Sequence, residues 1–453
     1  MSEVTSDPTR TFRRVLANTL LAGVTTTFLW FALTFWVYLE TRSVLAASLI
    51  SGLYMLVSAA AGSFFGAIVD AHRKKTSMVL SSTSTLLVYL VAGLIYLTVP
   101  VARLVDFTDA FFWLFNGLVL IGGVMGSLRS IALSTTVTLL VPADRRDKAN
   151  GMVGTVNGLA HMATSVFSGL AIGFLGMGGT IVVSIVLTAA ALLHLATIRI
   201  DEPHVERSER SRMDVRGTWR TIRAVPGLWA LILFAAFNNL VMGVFMALTD
   251  PYGLTLFSVE TWGIVLGVVG IGFIAGGACV ARFGLGRSPL RTLLLVNMLL
   301  AVVGVATAIR GWQLLLVLGM FGFMFLIPVA EAAEQTILQR VVPFERQGRV
   351  FGLAQSVESA AAPVSSFVIG PLAQLVIIPF MATDAGHTTF GWLLGDGPAR
   401  GIALAFVAAS LIMLVTVLAA FFSAAYRRLN RACAETEATI APVVTPSPVP
   451  VAA

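Results

Sequence analysis

The stretch GAIVDAHRKK, residues 66–75, sets one carboxylate, Asp70, at the end of a long apolar run, with Arg73, Lys74 and Lys75 just beyond it. Other charges interrupt apolar runs further along. Arg129 lies in MGSLRSIALS, Glu331 and Glu334 in IPVAEAAEQT, and Glu358 in QSVESAAAP. Charged groups in such surroundings are costly and are held for a purpose. The chemistry open to them is ion pairing and proton binding. A carboxylate that loses its cation in an apolar space takes up a proton. His161 stands alone, with no Cys or His partner at metal-binding spacing. It is expected to be a hydrogen-bonded histidine between helices. No His/Asp, Cys/His or His/Glu cluster suggests catalysis, and no G-x-x-x-x-G-K-[ST] suggests nucleotide binding. No cofactor is expected.

These residues must be held by elements that suit the composition. Apolar residues make up 57% of the chain and charged residues 12%, against roughly 45–50% and about 25% in ordinary globular chains. One soluble core of 453 residues does not hide that much apolar surface. Apolar segments recur at about 15–39, 44–69, 77–99, 110–140, 150–173 and 178–198, and then at 226–249, 260–281, 290–309, 312–339, 350–380 and 401–425. Each is long enough to cross a bilayer, which takes about 20 residues. The pattern predicts an all-α membrane protein of about twelve transmembrane helices. Pro363, Pro371 and Pro379 interrupt the eleventh segment.

The formal net charge of +7 does not imply nucleic-acid binding, because the cations sit in short loops where they set topology. With the N-terminus inside, every inner loop carries a basic cluster. Only Arg42, Arg103, Arg310 and Arg400 fall outside. The expected layout is a cytoplasmic tail 1–14, a six-helix bundle 15–198, a charged cytoplasmic linker 199–225, a second bundle 226–426, and a disordered cytoplasmic tail 427–453 that is Pro-rich at its end. Both termini are placed in the cytoplasm and the chain in the inner (plasma) membrane. The two cysteines, Cys279 and Cys433, imply no disulfide. Trp113, Trp262 and Trp312 are expected at the membrane interface.

The halves repeat. TTVTLLVPADRRDKANGMVG (135–154) resembles QTILQRVVPFERQGRVFGLA (335–354). Pro142 matches Pro343, an offset of 201 (343 − 142), and the same offset pairs Thr135 with Thr336, Asp144 with Glu345, Arg145 with Arg346, Gly151 with Gly352, and Gly169 with Gly370. Two parallel six-helix halves related by an axis along the membrane normal follow.

Gly66, Asp70, Lys74 and Lys75, between the second and third segments of a duplicated chain, resemble the G-x-x-x-D-R-x-x-R-R/K pattern of the major facilitator superfamily. VVPFERQGRVFGLAQS (341–356) resembles its twelve-span drug:proton antiporter branch, which includes macrolide-efflux-type proteins. The resemblance covers residues 12–428. Ala71 stands where the pattern has Arg, and Thr164 and Ser165 stand where the antiporter pattern has Gly-Pro.

The resemblance implies that Gly66, Asp70, Lys74, Lys75 and Arg349 form a latch, with Asp70 at the N-terminus of the eleventh helix. It implies that Arg129 and Glu331 form a gate pair, since the fourth and tenth spans face each other across the cavity. Proton coupling falls to Glu331, Glu334 and Glu358. The substrate cavity falls to Phe28, Phe31, Phe35, Phe237, Met242, Met320 and Met324, whose aromatic and thioether groups suit bulky lipophilic molecules and cations. The expected activity is export of lipophilic or cationic drug-like molecules by proton antiport, with H⁺ as the coupling ion and alternating access. The expected protein is a monomer in the bilayer. The alternatives are an exporter or flippase of an endogenous amphiphile such as a siderophore or lysolipid, or a membrane-embedded enzyme, against which the duplicated halves argue.

Overall fold

The computed structural model describes residues 7–41, 44–106, 108–202, 215–395 and 400–440. Residues 1–6, the central linker 203–214, Arg42 and the Pro-rich end 441–453 lie outside the described residues. The first half comprises α1 (Pro8–Thr41), α2 (Val44–Ala71), α3 (Lys74–Thr98), a short α4 (Val101–Leu104), α5 (Ala110–Leu140) and α6 (Arg146–Ala196). The linker carries α7 (Val215–Ala224). The second half comprises α8 (Leu228–Leu256), α9 (Val259–Phe283), α10 (Pro289–Ala306), α11 (Gln313–Val341), α12 (Gln347–Leu372), α13 (Ile378–Ala382), α14 (Asp384–Leu394) and α15 (Arg400–Phe422), and α16 (Ala424–Ile440) follows.

Among the described residues, eleven helices are long and apolar enough to cross a membrane. One of them does so twice. At 51 residues, α6 would run about 77 Å if straight, more than twice the ~30 Å of a bilayer core. It reverses at Gly176, whose φ of 64° suits only a residue without Cβ. Its contacts with α1 prove the reversal. Thr27 meets Thr164 and the Phe28 carbonyl meets Ser168, so this stretch runs parallel to α1. Asn18 meets Ala191 and Arg14 meets Thr197, so the later stretch runs antiparallel to it. Twelve crossing segments result, as the hydropathy pattern predicts.

Three boundaries differ from expectation. Residues 427–440 continue α16 and are not an irregular tail. The eleventh segment is unbroken from Gln347 to Ala382, with Pro363 and Pro371 inside a helix and a π-helical stretch at Ala373–Ile377. Pro379 has no N–H to give, and a π turn just before it absorbs the lost bond. After it comes α14, capped by Thr383 accepting from Gly386 N–H, which the hydropathy pattern does not mark.

The repeat is written into the backbone. Pro142 and Pro343 share a φ of −54°, each opens one 3₁₀ turn (Ala143–Arg145, Phe344–Arg346), and Arg145 and Arg346 share a φ of −120°. The cores show how the halves meet. Near the linker, a single apolar core joins Phe65, Val69 and Leu128 of the first half to Val280, Ile337 and Phe351 of the second. Toward the opposite end each half keeps a separate core, around Trp36 and Phe115 in one and around Phe245 and Phe406 in the other. The halves are closed at the linker end and parted at the far end. Gly169 and Gly173 of α6, Gly263, Gly267 and Gly270 of α9, and Gly370 of α12 have no neighbour within 4 Å of a Cβ position.

Candidate functional site

The closed end is built from glycine crossings pinned by polar bonds. α2 and α12 approach until a Cβ on Gly66 would lie 2.3 Å from the Gly348 carbonyl and one on Gly352 would lie 2.2 Å from the Gly62 carbonyl. Only glycines permit this distance. It brings Asp70 to the start of α12, where its two oxygens accept from Gly348 N–H at 2.7 Å and Arg349 N–H at 2.9 Å. A carboxylate at free amides of a helix N-terminus is a favourable arrangement. The Arg349 guanidinium stands 3.9 Å away. Further along the same crossing, Ser63 N–H donates to Ser356 Oγ at 2.9 Å.

The two lysines have different places. Buried Lys74 donates to the Val69 carbonyl at 2.8 Å and sits 5.2 Å over the Phe344 ring of the other half. Lys75 donates to the Ala196 carbonyl at 3.2 Å, inside its own half. It does not cross the seam, which corrects its expected part in a latch between halves. Glu202 accepts from the Lys74 and Lys75 backbone N–H groups at 2.6 and 2.9 Å and caps α3. In the linker, the Arg346 guanidinium reaches Thr221 Oγ1 of α7 at 2.9 Å.

A second seam joins the first stretch of α6 to α9 and α11. Asn150 donates to Thr336 Oγ1 and to Gln339 Oε1, both at 2.9 Å, Gln339 donates to the Ser134 carbonyl at 3.0 Å, and Arg146 donates to the Gln339 carbonyl at 3.2 Å. Asp147 accepts from Leu285 N–H at 2.9 Å. Sequence reasoning missed Asn150, Gln339 and Asp147. The only signal was their place in and beside the repeated loop.

Arg129 does not pair with Glu331. It is 4% exposed and donates to Asn18 Oδ1 and, at 3.4 Å, to Ser82 Oγ. Asn18 in turn bonds the Ala191 carbonyl and lies 3.2 Å from His194 Nδ1. The guanidinium therefore points into the interior of the first half, between α1, α3 and α6, and away from α11. Its partners are neutral side chains, which a resemblance that only sets two spans face to face had no means of revealing.

The three glutamates do come together. The Glu334 and Glu358 carboxyl groups, on α11 and α12, lie within hydrogen-bonding distance of each other, and Glu331 is close enough to interact with both electrostatically. Glu331 is exposed although it stands mid-helix, while Glu334 and Glu358 are half-buried. Among the described residues no lysine or arginine forms an ion pair with any of them. Two carboxyl groups that face each other offer only acceptors unless a proton lies between them.

The expected cavity residues divide. Phe28, 3% exposed, and Met320, 8% exposed, are core residues of their own halves, which corrects their assignment to a cavity wall. Phe237, Met242 and Met324 are half-buried against the core of the second half. Phe35 is exposed. Phe31 forms an edge contact with His161 at 5.7 Å and another with Trp30 at 4.8 Å, and Trp30 stacks on Tyr54 at 4.5 Å. His161 is exposed beside an aromatic group instead of being bonded between helices. Trp262 is 4% exposed and donates to Asp250 at 3.0 Å, so it packs within the protein at the start of its helix, whereas Trp113 and Trp312 are exposed.

Twelve crossings in two repeated halves, closed at one end, describe a known architecture, and a family model decides the matter: that of the Major Facilitator Superfamily matches residues 15–366. The chain belongs to this superfamily. Among curated superfamily transporters, it is 22% identical over 377 residues to macrolide efflux protein A of Streptococcus pyogenes, covering 78% of this chain and 87% of that protein. Its fold matches the human organic anion transporter MFSD10 with a TM-score of 0.64 at 15% identity, covering 90% of this chain and 99% of that one. It also matches a bacterial homologue of the iron transporter ferroportin in an outward-facing state, with a TM-score of 0.62 at 14% identity over 91% and 99% of the chains. Facilitator-superfamily members move small molecules across membranes, and this is a multi-pass membrane transporter.

Proposed function

We propose that this superfamily member is a secondary active exporter that exchanges lipophilic, cationic small molecules for protons. It works as a monomer in the inner (plasma) membrane, with its linker end in the cytoplasm. The observation that carries the reading is the Glu334–Glu358 carboxyl pair beside exposed Glu331, with no cation paired to it among the described residues. A site of this kind holds either a proton or a cationic substrate. The two exclude each other because the same oxygens serve both. The likeness to a macrolide efflux protein supports export.

The mechanism follows from the two ends. With the linker end shut, the glutamates communicate with the parted far end, where a proton enters as a cation leaves. When the halves close there and part at the linker end, a cation from the cytoplasm displaces the proton inward. Asp70 on Gly348 and Arg349 holds the first of these states. The aromatic set Trp30, Phe31, Phe35 and Tyr54 offers flat apolar faces to the substrate body.

Competition has a direct consequence for binding. Tetraphenylphosphonium added to purified protein in weak buffer should release protons, and its binding should strengthen as pH rises. Glu334→Gln/Glu358→Gln should bind it without proton release and with a flat pH dependence. Proton release that persists in that double variant refutes the assignment.

A further inference from the structure

Asp70 is the residue that the sequence marks for holding the halves shut. The repeat directs attention to the equivalent place in the second half. There the glycine crossing of α2 with α12 has its counterpart in that of α9 with α6. A Cβ on Gly62 would meet Ser356 N at 3.2 Å, and one on Gly277 would meet N of Thr155, the repeat partner of Ser356, at 2.5 Å, so Gly62 corresponds to Gly277, Gly66 to Ala281 and Asp70 to Leu285. The second half has no carboxylate where the first has Asp70. The offset of 201 maps Gly348, one of the two donors to Asp70, onto Asp147.

A second pair of contacts gives the same register. A Cβ on Gly352 would lie 3.0 Å from Gly66 N, and a Cβ on its repeat partner Gly151 would lie 2.4 Å from Ala281 N. Both helix crossings are glycine-mediated and end at the same depth. Only the polarity of the bond is exchanged. At the first seam the carboxylate ends a helix of the first half and takes N–H groups from the start of α12. At the second, Asp147 stands in the first turn of α6 and takes the Leu285 N–H from the loop after α9, at 2.9 Å. The loop is shaped for it. Gly284 has a φ of 77°, and a Cβ there would fall 2.5 Å from Asp147 Oδ2.

We infer that Asp147 is a positioning residue for transport: with Leu285 it forms a second latch, reversed in polarity, that shuts the linker end together with Asp70. One bond alone would leave the halves free to pivot about it. Two bonds on opposite sides of the pseudo-twofold axis fix the closed pose. Both carboxylates belong to the first half; the second half answers with backbone N–H groups at the two points, joined at the first by the Arg349 guanidinium 3.9 Å from Asp70. The buried bonds from Asn150 to Thr336 and Gln339 lie less than one helical turn further along α6 and join the same two halves. The inference rests on the transporter reading only in that the halves open and close. It needs neither the proposed substrate nor the proton.

The test is a distance measurement at the opposite seam. Spin labels go on His72→Cys and Glu345→Cys, with Cys279→Ser and Cys433→Ser in the background, in substrate-free protein in nanodiscs. Asp147→Asn should add a long-distance component, raising the open-to-closed ratio about tenfold, as expected from one charge-assisted bond present in a single state. Asp147→Glu should restore the wild-type distribution. Asp70→Asn should act in the same direction, and the double variant should open further. Gly284→Ala keeps the carboxylate but blocks its approach, and carries the same expectation should Asp147→Asn fail to fold. An unchanged His72–Glu345 distribution in Asp147→Asn, or in Gly284→Ala where that variant takes its place, overturns the proposal and leaves Asp147 as a local cap of the 284–288 loop.

Discussion

Replacing Gly66 with alanine should spring the linker end open. The added methyl would lie 2.3 Å from the Gly348 carbonyl oxygen and 2.9 Å from Arg349 Cα. Both are helix backbone and neither has a rotamer to move. A tolerable contact needs about 3.3 Å, so the helices must separate by about 1 Å. That shift stretches the 2.7 Å bond from Gly348 N–H to Asp70 beyond hydrogen-bonding range, and the Arg349 bond with it. Each is a bond to a charged group worth about 1.5–3 kcal/mol. Losing both costs the closed state at least about 3 kcal/mol, a shift on the order of a hundredfold in the closed-to-open ratio. The higher helix propensity of alanine applies to open and closed states alike and cancels. The assay is maleimide labelling of Ala354→Cys in a Cys279→Ser/Cys433→Ser background, since Ala354 is 2% exposed in the core shared by both halves. Labelling should accelerate at least tenfold. Gly267→Ala is the control, because a Cβ there meets nothing within 4 Å. Equal labelling rates in Gly66→Ala and wild type would refute the argument that this crossing holds the end shut.

Other outcomes follow from the same geometry. Arg129→Ala strands Asn18 Oδ1 in the interior and should lower stability by roughly 2–4 kcal/mol, read from thermal unfolding in detergent. In a double-mutant cycle with Glu331→Gln the effects should add within about 0.5 kcal/mol, and a larger coupling would reinstate the gate pair. Glu331→Gln should keep substrate binding and lose proton-driven transport, and normal pH-driven transport in that variant would remove Glu331 from the mechanism. Asp109 caps α5 by accepting from Phe111 N–H and pairs with Arg103 at 2.7 Å, and these bonds hold its carboxyl below the usual range. A lowered folded value means that the cap is present above the ordinary carboxylate range and is lost as pH falls through the lower value. Hydrogen exchange at Phe111 and Phe112 should therefore quicken only in strong acid. Asp109→Asn should abolish that response, and identical acid profiles would show that the cap is idle.

Much of the fold was legible because hydropathy and glycine act locally. Twelve apolar runs fix twelve crossings. Even the hairpin at Gly176 fell between two predicted segments. The repeat was legible from Pro142 and Pro343 because a proline sets its own φ and opens the same turn in both halves. Asp70 was legible because a carboxylate at the end of an apolar run has few places to go. What failed was facing. Spacing put Phe28 on one face with Phe31 and Phe35 but did not say which side faced the cavity. Arg129 and Glu331 were paired because the resemblance sets the fourth and tenth spans face to face, whereas the rotation of α5 sends the guanidinium inward to Asn18. The second seam was illegible for another reason. Asn150, Gln339 and Asp147 are ordinary polar residues at helix ends, and only tertiary contact gives them partners. Helix α14 was missed because its composition is mixed, with Thr388 and Thr389 beside Phe390 and Trp392.

The central claim is exchange of a lipophilic cation for protons at the Glu334–Glu358 pair. The measurement that meets it most directly is uptake of a fluorescent lipophilic cation into proteoliposomes under an imposed pH gradient. The account predicts accumulation that depends on the gradient, collapses with a protonophore, and is absent in Glu334→Gln/Glu358→Gln. Uptake that proceeds equally without a gradient, or in the double variant, would contradict it.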